Sequence, residues 1–161
     1  MKKVNLVVLV IAFALFSCKK EKIGGKIKND PKLAQELRES PERITLDNNT
    51  LVLTSFLWRD FMPIAEKDGS KMMCINWLTD VDSASISRSI NLKKQYVIKD
   101  NEVWTAEYSE TKNSNDYTIE GFVRNGPKWG PDIEVDVVCE FENLSQTYKI
   151  LAKSQLIFRT E

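Results

Sequence analysis

The feature that most constrains the fold is the alternation, from Arg43 onward, between short β-branched or aromatic runs and polar turn clusters. Such runs are typical of strands, and breaks this frequent leave no room for long helices. The breaks at Asp100-Asn101 and Asn143-Leu144-Ser145 predict hairpins. The predicted strands are Ile44–Leu46, Leu51–Trp58, Met72–Leu78, Ser85–Asn91, Tyr96–Lys99, Glu102–Tyr108, Tyr117–Arg124, Ile133–Phe141 and Thr147–Arg159.

One short helix is expected before these strands, over Lys32–Glu39. Asp30 can cap its first turn, Pro31 suits the first helical position, and Pro41 ends it. The apolar residues that share one face of this helix are Leu33 and Leu37.

The N-terminus carries a separate signal. Lys2 and Lys3 precede an apolar run that is much shorter than the roughly 20 residues needed to span a bilayer, which predicts a signal peptide. The run ends in Leu15-Phe16-Ser17-Cys18, which resembles the lipobox of bacterial lipoproteins. This resemblance implies cleavage before Cys18, acylation of Cys18 and a lipid anchor in a bacterial membrane.

Two alternatives to the lipid anchor stay open. Ala12-Phe13-Ala14 fits an ordinary secretory cleavage site, which would release a soluble protein. The apolar run could also stay in place as an uncleaved anchor, because Asn5 barely interrupts it.

The expected organisation has three parts: a signal peptide at 1–17, a lipidated tether and short helix at 18–42, and a β domain at 43–161. The tether is rich in lysine up to Asp30 and contains Gly24-Gly25, so we expect it to be flexible and to lie near anionic headgroups. The remaining chain has the size of one domain.

The cysteine spacing bears on the fold class. Cys74 and Cys139 are separated much as the two sheet-bridging cysteines of immunoglobulin domains are, although Trp77 and Val137 depart from that family's Trp and Tyr positions. The number and spacing of the predicted strands indicate an all-β fold, and we expect an antiparallel Ig-like β-sandwich, with a small β-barrel as the alternative.

Cys74 and Cys139 are also the two cysteines that remain once Cys18 is assigned to the lipid. Apolar residues alternate along Val135–Phe141, which puts Cys139 on a buried strand face. In an oxidising compartment a disulfide between them could add about 4 kcal/mol to stability. Two buried free thiols are the alternative.

Composition excludes several kinds of function. The chain has 23 basic and 23 acidic residues, so it lacks the charge of a nucleic-acid-binding protein. It has no histidine, which removes Ser-His-Asp and Cys-His catalysis and His-ligated zinc. Asp80-Val81-Asp82-Ser83 begins like a calcium loop, but Ala84 and Ser85 break the pattern. We therefore expect no metal and no cofactor.

The most unusual segment is Gly126-Pro127-Lys128-Trp129-Gly130-Pro131, which holds a Trp between two Gly-Pro pairs. A stiff loop of this kind could present Trp129 to a glycan or a protein, with Lys128 and Arg124 adding charge. Alternatively, Trp129 could fold back over one end of the core, as large aromatic side chains usually do.

A second candidate is Leu57–Pro63, in which Trp58 and Arg59 could bind a partner. The structural alternative is that Phe61 and Met62 fill the core and that Arg59 pairs with a carboxylate. Together with Gly126–Pro131, this segment is similar to a pattern found in small bacterial β proteins.

These observations favour a lipid-anchored, non-enzymatic binding or interaction module in the cell envelope. Its partners would be the membrane, through the lipid, and an envelope protein or glycan. An inhibitor of an envelope enzyme and a carboxylate-dependent hydrolase are the alternatives.

Overall fold

The structure, a computed structural model, describes residues 25–161. Residues 1–24, which include the predicted signal peptide and lipobox, lie outside the described residues. The elements are β1 (Lys26–Asn29), α1 (Pro31–Arg38), β2 (Arg43–Leu46), β3 (Asn49–Asp60), β4 (Met73–Asp80), β5 (Asn91–Lys99), β6 (Glu102–Glu107), β7 (Glu110–Asn115), β8 (Thr118–Val123), β9 (Glu134–Asn143) and β10 (Gln146–Thr160).

The strands form one mixed, open sheet that curls into a half-barrel. Their order is β1-β6-β5-β9-β10-β3-β4-β8-β7, and β2 also pairs with β3. Strands β3 and β10 are parallel, with Leu57 opposite Ile157, and the other pairings among the described strands are antiparallel. The all-β class is confirmed, whereas an Ig-like sandwich is not, because the strands follow a single continuous path.

The main core fills the concave side of this curled sheet. Strand β4 illustrates its origin, since buried and half-buried residues alternate along the whole strand, as period-two side-chain direction requires. The inward residues of neighbouring strands then meet across the curl. The largest fully buried apolar side chains of this cluster are Trp104, Phe141, Leu51, Leu57, Met72, Leu78, Ile150 and Ile157.

Helix α1 covers part of the convex side. Asp30 caps it by accepting a hydrogen bond from the Leu33 amide at 3.1 Å, as expected from the sequence. Ala34 and Leu37 are buried, and they contribute to a second cluster over β5, β6, β9 and β10. In residues 25–161 no helix is long and apolar enough to cross a membrane.

Three local predictions were wrong. Ser85–Asn91 forms a loop that leads into β5, although Asn91 itself begins that strand. Residues 110–115, which lie between the predicted strands Glu102–Tyr108 and Tyr117–Arg124, form the fully exposed edge strand β7. Lys26–Asn29, expected within a flexible tether, forms β1 and pairs with β6.

Candidate functional site

The convex side of the sheet carries a row of stacked aromatic side chains beyond the area that α1 covers. The ring centroid of Phe56 lies 5.2 Å from that of Trp58 and 5.1 Å from that of Phe158, and Trp58 lies 6.0 Å from Phe122. Phe158 is 41% exposed and the other three are half-buried. We call Phe56, Trp58, Phe122 and Phe158 the aromatic face.

Strand register explains why these rings meet. Phe56 lies opposite Ile75, and Ile75 lies opposite Phe122, so one row crosses β3, β4 and β8. Trp58 lies opposite Phe158 across the parallel pair of β3 and β10. Neighbouring strands are about 5 Å apart, which brings such side chains into contact.

A groove of about 530 Å³ lies beside this row, with Trp58, Ile75 and Phe122 among its lining residues. Two ion pairs stand at its rim, Arg124 with Glu110 at 3.2 Å and Lys112 with Glu120 at 3.1 Å. The Arg124 guanidinium also lies 4.7 Å from the centroid of the Phe122 ring. The groove therefore combines an apolar floor with paired charges of both signs.

Glu120 is fixed by more than its ion pair. It also accepts hydrogen bonds from Trp77 Nε1 and Ser114 Oγ, both at 3.0 Å. Burial favours the neutral acid, but these bonds and Lys112 outweigh it, so the pKa of Glu120 is lowered. The carboxylate is thus ionised and held in one orientation at neutral pH.

Arg59, the neighbour of Trp58 in the sequence, faces the opposite side and is only 4% exposed. Its guanidinium donates to the carbonyl oxygens of Ser70, Gly130 and Lys128 at 2.9, 2.7 and 3.2 Å, and to that of Asp68. The predicted pairing with a carboxylate is wrong, because four main-chain carbonyls occupy its donors. We call this arrangement the arginine clamp, since it joins the 61–72 loop to the 124–133 loop.

The second loop held by the clamp contains Trp129 and Lys128. Trp129 is half-buried, packs against the main core and has the Lys99 ammonium 5.9 Å from its ring centroid. Lys128 Nζ donates to Asp68 and Glu66 at 2.5 Å each, and these bonds raise the pKa of Lys128. This geometry supports the interpretation of Trp129 as a cover over one end of the core.

Phe61 and Met62 follow the clamp along the chain. The Phe61 ring lies between two guanidinium groups, 5.0 Å from Arg59 and 4.2 Å from Arg159. Met62 is 47% exposed, so the prediction that it fills the core is wrong. It lies instead in the loop between β3 and β4.

A buried polar group lies among the inward residues of the sheet. The Asn76 side chain donates to Gln95 Oε1 at 2.7 Å and to the Tyr108 hydroxyl at 3.0 Å. It also accepts from Ser55 Oγ at 2.6 Å and from the Cys74 thiol at 3.4 Å. Asn76 thus makes four hydrogen bonds and links side chains of β3, β4 and β5 to Tyr108, which follows β6.

Cys74 and Cys139 are both buried free thiols in the structure. The Cys139 thiol hydrogen-bonds with the Tyr108 hydroxyl, whereas Cys74 bonds with Asn76. Burial raises the pKa of Cys74 far above its ordinary value and that of Cys139 to about 12. Neither thiol is therefore activated as a nucleophile at neutral pH.

The Asp80 segment, which begins like a calcium loop, has a structural role. The Asp80 carboxylate accepts hydrogen bonds from the amides of Thr50, Asp82 and Ala84 at 2.8 to 3.0 Å, and from Asn49 Nδ2. Its oxygens thus hold the turn that follows β4. Among residues 25–161, no cluster of three or more acidic or Cys side chains is placed to hold a metal.

The structure divides the five predicted binding residues into two groups. Trp58 and Arg124 line the groove, whereas Arg59, Lys128 and Trp129 belong to the clamp and the core cover. Sequence reasoning missed Phe56, Phe122 and Phe158. The period-two spacing of Phe56 and Trp58 was a usable signal, because it puts both aromatics on one strand face.

No protein-family model, no curated protein and no solved structure matches this chain.

Proposed function

We propose that the chain is a lipid-anchored, non-enzymatic binding module of the bacterial cell envelope that holds a protein partner on its aromatic face. The observation that carries this proposal is the aromatic face, the stacked row of Phe158, Phe56, Trp58 and Phe122 on the convex side of the sheet. Aromatic side chains of this kind are the usual energetic centre of a protein interface.

The form of the surface favours a protein partner over a glycan. The rings stack on one another, so much of the flat surface that a sugar ring would need is taken up within the row. The adjacent groove offers an apolar floor for a partner's side chain and charges of both signs at its rim. An apolar centre with a polar rim is typical of protein interfaces.

The chemistry of the domain favours binding over catalysis. Both thiols are buried and protonated at neutral pH, and the groove carboxylates Glu110 and Glu120 are engaged with Arg124 and Lys112. A hydrolase of the carboxylate type would need one acid with a raised pKa. Glu120 instead has a lowered pKa.

Site-specific photocrosslinking in cells tests the partner surface. A photoreactive amino acid at Lys112, on the groove rim, should crosslink to a protein, while the same probe at Lys32, exposed on α1, should not. Adding Trp58→Ala should weaken capture at position 112 by about 2 kcal/mol, roughly 30-fold, as for an interface hot spot.

The matched control for this variant is Tyr117→Ala, which removes an exposed aromatic side chain away from the groove lining. It should leave the crosslink at position 112 unchanged. Equal capture at positions 32 and 112, or an unchanged yield in Trp58→Ala, would contradict the proposed surface.

The anchor is tested separately with Cys18→Ala. Because the lipobox resemblance assigns the acyl chains to Cys18, this variant should lose incorporation of a labelled fatty acid and leave the membrane fraction. Retention of the label would place the anchor elsewhere.

A further inference from the structure

The loop between β3 and β4 contains the most exposed apolar segment among the described residues. Ile64 is 96% exposed and Met62 47% exposed, and Pro63 between them is exposed too. A run of consecutive exposed apolar residues is unfavourable in water unless it serves a purpose. We call Met62-Pro63-Ile64-Ala65 the apolar tip.

The structure holds this tip in a fixed shape. The Ala65 amide donates to the Met62 carbonyl at 2.8 Å, and the Met62 amide donates to the Asp60 carboxylate at 2.9 Å. On its two sides, Phe61 is packed between Arg59 and Arg159, and the arginine clamp binds the carbonyls of Asp68 and Ser70. A preorganised apolar tip loses little conformational entropy when it is buried.

The length of the segment between Cys18 and β1 limits how far the domain can lie from a membrane that carries the proposed anchor. Seven residues separate Cys18 from Lys26, the first residue of β1, and fully extended they span at most about 25 Å. A folded unit of this size has a radius of gyration of about 14 Å and is wider than the tether is long. If Cys18 carries the anchor, Lys26 lies within about 25 Å of the bilayer, so the surface loops of the domain are held close to it.

Charges around the tip are compatible with such a surface. Glu66 and Asp68 are both bound to Lys128, which offsets part of the negative charge next to the tip. Lys67 and Lys71 are exposed in the same loop, where they can approach anionic headgroups.

We infer that the apolar tip inserts into the interface of the membrane that carries the protein's own lipid, and so fixes the orientation of the domain. This inference rests on the proposed anchor at Cys18. The tip thus contacts the lipid bilayer, and the side chains of Ile64 and Met62 are the parts that insert. The aromatic face extends from the same end of β3, and it stays available to a partner beside the membrane.

Depth-dependent quenching tests the inference. The lipidated Ile64→Cys chain, labelled with a fluorophore, is reconstituted into phosphatidylethanolamine and phosphatidylglycerol vesicles that contain a lipid with a nitroxide near its headgroup. The native thiols should not interfere, because Cys18 is acylated on the anchor proposal and Cys74 and Cys139 are fully buried.

The matched control is Leu144→Cys, since Leu144 is 75% exposed and lies in the hairpin at the opposite end of the sheet. A third probe at Thr54 reports on the convex side near the aromatic face. We expect quenching several-fold stronger at position 64 than at positions 144 and 54.

Vesicle flotation separates failure of this inference from failure of the anchor. A chain that floats with equal quenching at positions 64 and 144 overturns the tip alone, and so does strongest quenching at position 54. If the probe at position 64 is shielded in native envelopes but not in pure vesicles, a protein covers the tip, and the inference that the tip inserts into lipid is wrong. A chain that does not float overturns the anchor and the inference with it.

Discussion

Arg59 illustrates how a single side chain can organise two loops. A guanidinium has five N–H donors in a planar fork and no acceptor, so it can bind four carbonyls at once, whereas a lysine ammonium has only three donors. Here it binds four carbonyls from the 61–72 and 124–133 loops. The position of Trp129 and the shape of the apolar tip therefore depend on one buried residue.

Arg59→Met should destabilise the protein by about 3 kcal/mol, because it leaves buried carbonyls without a donor. Arg59→Lys should recover only part of this loss, since an ammonium has three donors for the four carbonyls. Denaturant unfolding of the three proteins measures the effect. An Arg59→Met variant as stable as the native protein would contradict the clamp.

Trp129→Ala should lower the free energy of unfolding by about 3 kcal/mol, because the indole ring packs on the main core. Capture of a partner by the Lys112 photoprobe should not change in this variant. Near-native stability together with loss of capture would instead return Trp129 to the role of a binding residue.

Asp80 should make stability depend on acid pH. Burial favours its neutral form, but hydrogen bonds from Ala84, Asn49, Thr50 and Asp82 outweigh this, so its pKa in the folded state lies below the ordinary 3.8. A lowered pKa means that the stabilisation is present above about pH 4 and is lost as the pH falls through the folded-state value.

The variant Asp80→Asn removes this titration. Its stability deficit relative to the native protein should be larger at pH 7 than at pH 2.5, as measured by urea unfolding at the two pH values. Asp82→Asn, an exposed neighbour, is the control and should show little difference. An equal deficit at both pH values would rule out the lowered pKa as the cause.

At the scale of helices and strands, the sequence predicted those elements that neighbouring residues mark through caps or through alternating apolar positions. Helix α1 was predictable because Asp30 and Pro31 mark its start, and the strongly apolar strands were predictable from their alternation. Strands β1 and β7 were not, since their side chains are exposed and, apart from Ile27, polar, so that main-chain pairing to β6 and β8 largely defines them.

The candidate site was partly predictable for the same reason. Trp58 and Arg124 stood out as residues, but their place beside Phe122 and Phe158 depends on which strands are neighbours. The parallel pairing of β3 with β10 is a contact between distant parts of the chain. No local pattern indicates it, so the aromatic face became visible only in the structure.

Leu37→Ala should cost about 3 kcal/mol of stability, because Leu37 is fully buried between α1 and the sheet. Lys32→Ala, on the exposed side of the same helix, should cost only a few tenths of a kcal/mol. Thermal and chemical unfolding compare the two. Equal small effects would mean that α1 is not docked as described.

At the scale of the whole molecule, the curled sheet buries two thiols that would react with thiol reagents if they were exposed. Cys74 and Cys139 come from strands on different sides of the β3–β10 pair, and both face the enclosed side. A thiol reagent can reach them only when the half-barrel opens, because both are fully buried and protonated.

In the folded protein, labelling of both thiols should therefore be as slow as global opening, and in denaturant it should be complete within the mixing time. Mass spectrometry of non-reduced peptides from the protein also decides between free thiols and a disulfide. Denatured protein that takes up no reagent until a reductant is added would establish the disulfide.

The position of β10 has a consequence for biogenesis. This last strand lies in the interior of the sheet, between β9 and β3, and it pairs Ile157 with Leu57, 100 positions earlier. Such a pairing closes only after nearly the whole chain has been made, and long-range closure is slow. Until β10 is made the chain therefore has no complete sheet, and a truncation that removes β10 should leave an unfolded, protease-sensitive product instead of a smaller stable domain.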